Sequence, residues 1–315
     1  PMKPPGLKER GVLWVNDGAR PPGFAPRILH EDNPGWHDAA AGDVDGDGDP
    51  DLVSKIWNKD GASYHADYWR NERVPRRTTL FLIGDSTVKN GQGRGDGGLY
   101  GWGQVLEQHF DASKIRVANC ARGGRSSRTF LTEGLWAEVL AELEPGDFVL
   151  LQFGHNDGGP LDEGRARASL KGVGPESQRI TNRTTSKVET VHTYGWYLRK
   201  YIDDAQQRGA TPIVLSPVPR NLWSEGKVLR ADQDYGGWAA QTATAAGAAF
   251  VDLNELAARH YEQRGEPGVR EEYFTSADHT HTTLAGAQAN ARAVIEGIRG
   301  LQGCPLAEFV NNVEP

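Results

Sequence analysis

Apolar runs in the second part of the chain predict the strands of a parallel sheet. Five short runs are almost continuously apolar and alternate with longer amphipathic stretches; they cover residues 79–84, 114–120, 147–154, 211–218 and 248–253. This alternation is typical of strands joined by helices, and strands that are apolar on both faces are expected where helices cover both sides of a sheet. The pattern therefore predicts an α/β domain over residues 78–303.

The stretches between these runs carry helical periodicity. It predicts helices over residues 100–110, 132–142, 190–208, 232–246, 254–264 and 284–301. In the third of these, Tyr194, Tyr197 and Tyr201 recur at spacings of three and four and form one apolar face, which Gly209 follows as a C-terminal stop. Residues 158–188 have no periodicity and are rich in Gly, Ser and charged residues, so we expect them to be either disordered or functional.

Residues 1–77 have a different pattern, which predicts a small all-β segment. Two short strand patterns that contain Trp cover residues 11–17 and 51–58, and prolines are frequent. We expect the boundary with the α/β domain near residues 73–77, and a C-terminal tail over residues 304–315.

Composition and charge exclude some classes of function. The chain has 315 residues with a net charge of -7, which argues against a nucleic-acid-binding protein. No apolar run approaches the roughly 18 residues that span a bilayer, and the first residues lack the apolar core of a signal peptide. We nevertheless expect a secreted or periplasmic protein. Cys120 and Cys304 are expected to be free or buried thiols rather than a disulfide, although the sequence does not decide between the two.

An acidic segment in the first part of the chain is a candidate calcium site. The sequence GDVDGDGDPDL places carboxylates at Asp43, Asp45, Asp47, Asp49 and Asp51. The first three would supply side-chain oxygens, Asp49 its backbone carbonyl and Asp51 a further carboxylate. A solvated acidic turn is the alternative, but five carboxylates in nine residues repel one another unless a cation neutralises them.

The acidic segment lacks the bidentate Glu of an EF-hand and its flanking helices. It resembles one calcium-binding FG-GAP/VCBS repeat of integrin-type β-propellers, with residues 65–72 as the closing strand of the repeat. That resemblance implies a structural calcium ion.

A nucleophile and a base are predicted at the carboxyl edge of the sheet. Ser86, in LIGDSTV, follows the first predicted strand, and an open parallel sheet binds its ligands at that edge. Asp278 and His281 lie three residues apart before the last predicted helix, where the carboxylate can fix the tautomer of the imidazole. His279 lies between them and is interpreted as a bystander that could still line the site.

Candidate oxyanion donors follow two other predicted strands. Gly123 and Gly124 expose backbone N–H groups after the second strand, and Asn156 offers a side-chain amide after the third. Such donors stabilise the charge that develops when a carbonyl carbon is attacked.

These features together resemble a known family. GDS, the glycine of GGRS, GHND and DHTH resemble the four sequence blocks of the SGNH, or GDS, hydrolases, and GRSSRTF, GHNDGGP and DHTHTTLAGA are similar to rhamnogalacturonan acetylesterases of carbohydrate esterase family twelve. The resemblance covers residues 80–300. It implies a doubly wound, flavodoxin-like, five-stranded parallel α/β/α sandwich. It also implies that Ser86 is the nucleophile, that Asp278 and His281 are its acid and base, and that Ser86 N–H, Gly124 N–H and Asn156 form the oxyanion hole, with no metal in the reaction.

The same resemblance implies a serine esterase that removes acetyl groups from an acetylated polysaccharide. Aromatic side chains could stack on sugar rings or could simply be core: Trp102, Tyr194, Trp196, Trp223 and Tyr235. Arginines near strand ends could pair with uronate carboxylates: Arg122, Arg125, Arg128 and Arg220. Arg125 could equally be an internal strut.

Two other functions remain open at this point. A lipase or thioesterase built on the same blocks would need an exposed apolar groove, which a mean hydropathy of -0.59 does not favour. An inactive carbohydrate-binding or adhesion module is disfavoured because the serine, aspartate, histidine and asparagine occur together. Neither nucleic acid nor a membrane is expected as a partner, and the oligomeric state is left open.

Overall fold

The computed structural model of the chain describes residues 11–16, 24–30, 36–44, 50–56, 66–69 and 77–311. The chain divides into two compact units, Pro1–Arg76 and Arg77–Pro315. None of the helices in the described ranges combines the length and the apolar character needed to cross a bilayer.

In the first unit, the described elements are all strands. Strands β1 (Gly11–Asn16) and β2 (Phe24–His30) form an antiparallel pair. Strands β3 (Trp36–Gly42), β4 (Asp51–Ile56) and β5 (Ala66–Trp69) form a three-stranded antiparallel sheet. The prediction of small β elements at the N-terminus is confirmed.

The second unit contains a five-stranded parallel sheet, as predicted. The strands of the whole second unit, of which five form this sheet and the other six form three short antiparallel pairs, are β6 (Thr78–Gly84), β7 (Ile115–Asn119), β8 (Phe148–Gln152), β9 (Ser177–Asn182), β10 (Lys187–His192), β11 (Thr211–Leu215), β12 (Trp223–Ser224), β13 (Lys227–Val228), β14 (Ala249–Val251), β15 (Phe274–Thr275) and β16 (Asp278–Thr282). The parallel sheet has the order β14-β11-β8-β6-β7, which is the flavodoxin-like order. From β6 the chain continues to β7 on one side of the sheet, and from β8 it continues to β11 and β14 on the other side. The strand order therefore reverses between β6 and β8, and a ligand site is expected outside the carboxyl ends of these two strands.

Helices cover both faces of this sheet. They are α1 (Ser127–Thr132), α2 (Leu135–Glu142), α3 (Tyr194–Gln207), α4 (Tyr235–Ala245), α5 (Leu253–Arg264), the single turn α6 (Glu266–Gly268) and α7 (Leu284–Gly300). Short 3-10 turns cover Asp96–Gly98, Trp102–Gln104, Glu107–His109 and Pro305–Phe309, and a π-helical turn covers Val269–Tyr273.

Alternate residues of each strand enter two separate hydrophobic cores. In β6, Leu80 and Leu82 join the core beneath α5 and α7, whereas Phe81 and Ile83 join the core beneath α1 to α4. All four side chains are fully buried. This explains the continuous apolar runs of the sequence, because a strand with a core on each face needs apolar residues at every position.

The prediction of a helix over residues 100–110 is wrong. The backbone amides of Trp102 and Gly103 bond instead to Thr87 O (2.9 Å) and Val88 O (3.0 Å) in the turn after β6. A Cβ atom at Gly101 would lie 2.3 Å from the carbonyl carbon of Val88, so this close approach requires glycine. The segment therefore follows the turn instead of forming a continuous helix.

Three other helices begin later than predicted, and one of them, α4, begins at Tyr235 instead of residue 232. Gly134, with a φ of 84°, separates α1 from α2, and the sequence pattern did not indicate α1. Residues 190–192 belong to β10, so α3 begins at Tyr194, where the Thr193 side chain caps it by accepting from Trp196 N at 3.2 Å. Gly209 ends this helix with a φ of 73°, as predicted.

The segment over residues 158–188 is ordered. Its second half forms the antiparallel hairpin β9–β10. Arg128, whose side chain is 1% exposed, holds the first half by donating to Leu161 O and Ala168 O, both at 2.9 Å. Arg128 also pairs with Glu189 of the hairpin at 2.6 Å.

The C-terminal residues 304–311 lie against the sheet unit. Val310 forms an isolated bridge with Phe110, and Leu306 is fully buried in the core beneath α5 and α7. Cys120 and Cys304 are free thiols, as predicted, and they lie against different cores. Burial raises the pKa of the Cys120 thiol.

Candidate active site

Ser86 lies in a tight turn directly after β6. Val88 N and Lys89 N both bond to Asp85 O, at 3.2 and 3.0 Å. Gly84 precedes this turn, and a Cβ atom there would lie 2.5 Å from Gln152 O, so only glycine fits between β6 and β8. The turn leaves Ser86 half-buried at the carboxyl edge of the sheet, next to the point where the strand order reverses.

Ser86, His281 and Asp278 form a continuous hydrogen-bonded chain. Ser86 Oγ lies 2.8 Å from His281 Nε2, and His281 Nδ1 lies 2.6 Å from Asp278 Oδ2. With Nδ1–H donating to the carboxylate, Nε2 is left as the acceptor that faces the serine hydroxyl. The arrangement can therefore take a proton from Ser86.

The Asp278 carboxylate is held in place by the backbone of its own strand. Its Oδ1 accepts from Thr280 N at 2.7 Å and from His281 N at 2.9 Å. Burial would raise the pKa of this carboxyl, but these N–H groups and the His281 ring outweigh burial and lower it. Asp278 is thus kept in the charged form that can stabilise an imidazolium.

Three N–H groups close to the Ser86 hydroxyl are candidate oxyanion donors: the backbone amides of Ser86 and Gly124 and the side-chain amide of Asn156. No acceptor in residues 77–311 bonds to the backbone amides of Ser86 or Gly124. Asn156, 7% exposed, donates through Nδ2 to Arg125 O at 2.8 Å, which fixes the amide and leaves its second hydrogen free. Gly124 has a φ of 80°, a left-handed conformation that favours glycine.

Buried ionisable groups lie behind the nucleophile and the oxyanion loop. Asp85 is fully buried; its Oδ1 accepts from Thr87 N and Thr87 Oγ1, both at 2.8 Å. Its Oδ2 lies 3.4 Å from His155 Nδ1, while His155 Nε2 donates to Val218 O at 2.9 Å. Burial raises the pKa of Asp85, but the facing His155 and the Thr87 hydrogen bonds bring it below its usual value.

Asp157 is the second buried carboxyl in this region. Its Oδ1 accepts from Ser127 Oγ at 2.5 Å and from Ser169 Oγ at 3.0 Å. Burial nevertheless raises the pKa of Asp157 to about 6. His155 and Asp157 flank Asn156 in sequence, so both fix the loop that carries this donor.

A polar cleft of about 530 Å³ opens above the serine. It is lined by Ser86, Asn90, Gly91, Gln92, Arg122, Gly123, Gly124, Arg125, His155, Asn156, Arg165, Arg167, Arg220, Thr280 and His281. A second cavity of about 290 Å³ shares His155 and Arg220 with the cleft and is lined in part by the exposed side chains of Leu222 and Leu229.

The prediction that Trp102 contacts substrate is wrong. Its side chain is 1% exposed, and Nε1 donates to Gln152 Oε1 at 2.9 Å. Gln152 Nε2 in turn donates to Thr87 Oγ1 at 2.6 Å. Trp102 therefore belongs to the core, where this chain of hydrogen bonds supports the turn that carries Ser86. Tyr194 is also fully buried, with its hydroxyl donating to Phe153 O at 2.9 Å.

The structure places two of the other predicted substrate contacts in the cleft and two outside it. Arg220 lines both cavities. Arg125 lines the cleft but also pairs with Glu133 at 2.8 Å, so it has the character of a strut. Trp223 donates to Asn221 Oδ1 at 2.7 Å and does not line the cleft, and neither does the exposed His279.

Arg128 cannot reach a uronate, contrary to the prediction, because it is buried and paired with Glu189. Sequence reasoning missed Arg165 and Arg167, which line the cleft from the first half of the 158–188 segment. The composition of that segment, rich in charged residues and without periodicity, was the signal that it could be functional.

In the first unit, the two ends of the acidic segment adjoin the paired strands β3 and β4. Gly42 pairs with Asp51 across the hairpin, which brings Asp43 and Asp51 to the same end. Asp51 is fully buried, and its Oδ2 accepts from Val44 N and from Tyr68 Oη, both at 3.0 Å. Asp45, Asp47 and Asp49 lie outside the described residues. Among the described residues, no group of three or more His, Cys, Asp or Glu side chains is arranged to hold a metal ion.

Comparison with known proteins decides the family. The model of the GDSL-like lipase/acylhydrolase family matches residues 82–289, which include Ser86, Asn156, Asp278 and His281. The chain belongs to this family. Family membership makes the chain an esterase of the serine hydrolase type.

Curated relatives of this GDSL-family chain include carbohydrate esterases. It is 34% identical over 235 residues to the probable rhamnogalacturonan acetylesterase YesY of Bacillus subtilis, covering 73% of this chain and 96% of that protein. It is 30% identical over 220 residues to the rhamnogalacturonan acetylesterase of Emericella nidulans, covering 70% and 84%. The crystal structure of YxiM from Bacillus subtilis covers 95% of this chain and 77% of that one, with a TM-score of 0.59 and 22% identity, a likeness of fold.

Proposed function

We propose that this GDSL-family esterase removes acetyl groups from an acetylated polysaccharide, with pectic rhamnogalacturonan as the first candidate substrate. The observation that carries the proposal is the hydrogen-bonded chain from Asp278 through His281 to Ser86, which opens on a wide polar cleft. The names of two relatives, both rhamnogalacturonan acetylesterases, supply the substrate class.

The proposed reaction proceeds through an acyl-enzyme. His281 Nε2 takes the proton of Ser86 Oγ as this oxygen attacks the acetyl carbonyl carbon. The N–H groups of Ser86 and Gly124 and the Asn156 side chain stabilise the oxyanion, and Asp278 stabilises the imidazolium. Protonated His281 then gives its proton to the departing sugar oxygen. A water molecule attacks the acetyl-serine in the same way, which releases acetate and restores Ser86.

The lining of the cleft favours a sugar over a lipid. The residues that surround Ser86 are glycines, amides, histidines and arginines. A long acyl chain would have to lie against charged groups that lose hydration without gaining partners. A polysaccharide chain instead offers hydroxyl groups that can hydrogen-bond to them.

The test is acetate release by the full chain from acetylated rhamnogalacturonan, acetylated xylan, p-nitrophenyl acetate and p-nitrophenyl octanoate. We expect acetate release from acetylated rhamnogalacturonan and rapid turnover of the acetate ester compared with the octanoate ester. Ser86→Ala should abolish turnover without lowering the melting temperature, and Ser177→Ala, an exposed serine on β9, is the matched control. Substantial turnover by Ser86→Ala, or a preference for octanoate, would refute the proposal.

We also propose that the Asp43–Asp51 segment binds a structural Ca²⁺ ion in the manner of an FG-GAP/VCBS repeat. Support comes from five carboxylates in nine residues and from the hairpin pairing that brings both ends of the segment together. Asp43, Asp45 and Asp47 would supply side-chain oxygens, and Asp49 and Asp51 would complete the site. We expect EDTA to lower the melting temperature and added Ca²⁺ to restore it, while turnover of p-nitrophenyl acetate at 25 °C stays the same. An unchanged melting curve would contradict the site.

We further propose that the protein acts outside the cytoplasm, secreted or periplasmic. The support is chemical, because a polymeric glycan of the proposed kind is not available inside a cell. Fractionation of the producing cells would test this, and a protein found wholly in the cytoplasm would contradict it.

A further inference from the structure

The catalytic cleft concentrates positive charge in an acidic protein. The chain as a whole has a net charge of -7. Arginines nevertheless account for five of the residues that line the cleft, and none of the lining residues is Asp or Glu. A cleft lined by one sign of charge attracts the opposite sign and holds it locally. The cleft is therefore complementary to an anionic ligand.

Most of these arginines have no acidic ion-pair partner among the described residues. Arg125 is paired with Glu133. Within residues 77–311, no carboxylate forms an ion pair with Arg122, Arg165, Arg167 or Arg220. These four guanidiniums are thus in ion-pair contact with no described carboxylate, and the buried Asp85 and Asp157 offset the charge of Arg167 only from a longer distance.

Arg165 and Arg167 form the part of this cluster that lies against the oxyanion loop. Arg167 Nη1 donates to Gly124 O at 2.8 Å, so its guanidinium is fixed beside a proposed oxyanion donor. Burial lowers the pKa of Arg167, and the neighbouring charge of Arg165 lowers it further. Both guanidiniums repel each other, and an anion bound by the pair would relieve that repulsion.

The backbone that presents this pair is strained and firmly anchored. Ala166, between the arginines, has a φ of 46°, a left-handed conformation that is costly for a residue with a Cβ atom. Its side chain is buried, whereas Arg165 and Arg167 both line the cleft. Ser126 Oγ donates to Arg167 O at 2.5 Å, and the buried Arg128 holds the next carbonyl, Ala168 O. The backbone of the pair and the Arg167 guanidinium are therefore preorganised before any ligand binds, whereas the exposed Arg165 side chain extends from that fixed backbone.

We propose that Arg165 and Arg167 form a carboxylate subsite that binds a uronate of the polysaccharide close to the acetyl ester that Ser86 attacks. A guanidinium matches the planar geometry of a carboxylate with two parallel N–H···O bonds. This inference rests on the proposed function, since a uronate is the carboxylate that a pectic chain carries. It separates two roles, because Ser86 and its partners act on the acetyl ester while the arginine pair selects the charged chain.

The experiment compares two forms of one polymer, acetylated rhamnogalacturonan with free carboxylates and the same polymer with its carboxylates methyl-esterified. The readout is the ratio of kcat/KM for the acid form to kcat/KM for the ester form, which cancels any general loss of activity. We expect a ratio of about 10 or more for the wild type, in keeping with charge-assisted hydrogen bonds. The ratio should fall as the salt concentration rises.

Arg165→Gln should lower this ratio, and the double variant Arg165→Gln/Arg167→Gln should bring it close to 1. Arg179→Gln is the matched control, since Arg179 is an exposed arginine of the same segment, on β9, that does not line the cleft. It should keep the wild-type ratio. Arg165→Gln alone leaves the Arg167–Gly124 contact intact, so it reports on the subsite even if the double variant folds poorly.

The results that would overturn the subsite differ from those that would overturn the proposed function. Acetate release from both polymers at equal rates by the wild type would overturn the subsite and leave the esterase proposal standing. A ratio that survives in both variants would overturn the assignment to these two arginines. Failure to release acetate from either polymer, with turnover of p-nitrophenyl acetate retained, would overturn the polysaccharide proposal and the subsite with it. Competition by inorganic phosphate as strong as that by galacturonate would indicate a general anion site and overturn the uronate assignment.

Discussion

The two histidines of DHTH offer a matched pair of substitutions that tests the proposed base. His281→Ala removes the atom that lies 2.8 Å from Ser86 Oγ and the ring that Asp278 orients at 2.6 Å. His279→Ala changes an exposed side chain that does not line the cleft. The only described contact of His279 is its backbone carbonyl, which accepts from Asn221 N at 2.8 Å and which alanine keeps.

The losses of activity that we expect for the two variants differ by orders of magnitude. Loss of a positioned general base costs about 10²- to 10⁴-fold in rate. This corresponds to about 3–5 kcal/mol in the activation free energy at ~1.4 kcal/mol for each factor of ten. His279→Ala should change kcat/KM by less than about twofold, since it alters no contact to the reacting atoms.

The assay is turnover of p-nitrophenyl acetate by the full chain, with melting temperatures measured for both variants. Because His281 is partly exposed in the cleft, added imidazole should partly restore the rate of His281→Ala and leave the wild type unaffected. A larger loss for His279→Ala than for His281→Ala, at similar melting temperatures, would refute the reasoning. Equal losses would refute the identification of His281 as the base.

Two further predictions concern stability. Asp157 has a pKa of about 6 in the fold against about 3.9 in an unfolded chain, so the folded state binds more protons and stability should fall as pH rises from about 4 to about 6. The free energy of unfolding of the wild type relative to Asp157→Asn should therefore decrease by about 2 kcal/mol between pH 4 and pH 7 in urea titrations, and a pH-independent difference would contradict this. Trp102→Phe leaves Gln152 Oε1 without its donor and should cost about 2–4 kcal/mol, with little change in KM for p-nitrophenyl acetate. Trp223→Phe, at a half-buried site, should cost less, and a raised KM for Trp102→Phe at unchanged stability would favour a substrate contact instead.

The sheet could be predicted from the sequence because its strands are almost continuously apolar. Phe81 and Leu82 point to different cores, so no polar residue interrupts the run, and the run itself marks the strand. The site motifs follow from the same pattern, since Ser86, Gly124 and Asn156 come directly after predicted strands. Parallel strands end at one edge, and this geometry alone brings the three residues together.

The role of Trp102 could not be predicted in the same way. Its neighbours have helical spacing, and a tryptophan near a strand end suits both a sugar platform and a core. The structure decides between these roles by contacts to residues distant in sequence, first the close approach of Gly101 to Val88 and then the hydrogen bond of Trp102 to Gln152. Such contacts leave no periodic trace in the sequence.

The segment over residues 158–188 explains why the chemistry was easier to predict than the substrate contacts. Polar, aperiodic sequence is ordered here because the buried Arg128 ties the first half of the segment to Glu189 of the β9–β10 hairpin. Arg128 was interpreted as a sugar contact, yet it is the residue that fixes the backbone from which Arg165 and Arg167 reach the cleft. Catalytic residues at strand ends are positioned by the sheet, whereas binding residues on a loop are positioned by a few individual contacts. A few contacts, most of them made by one buried arginine, therefore fix the backbone of the proposed subsite, which the sequence indicated only through the composition of the segment.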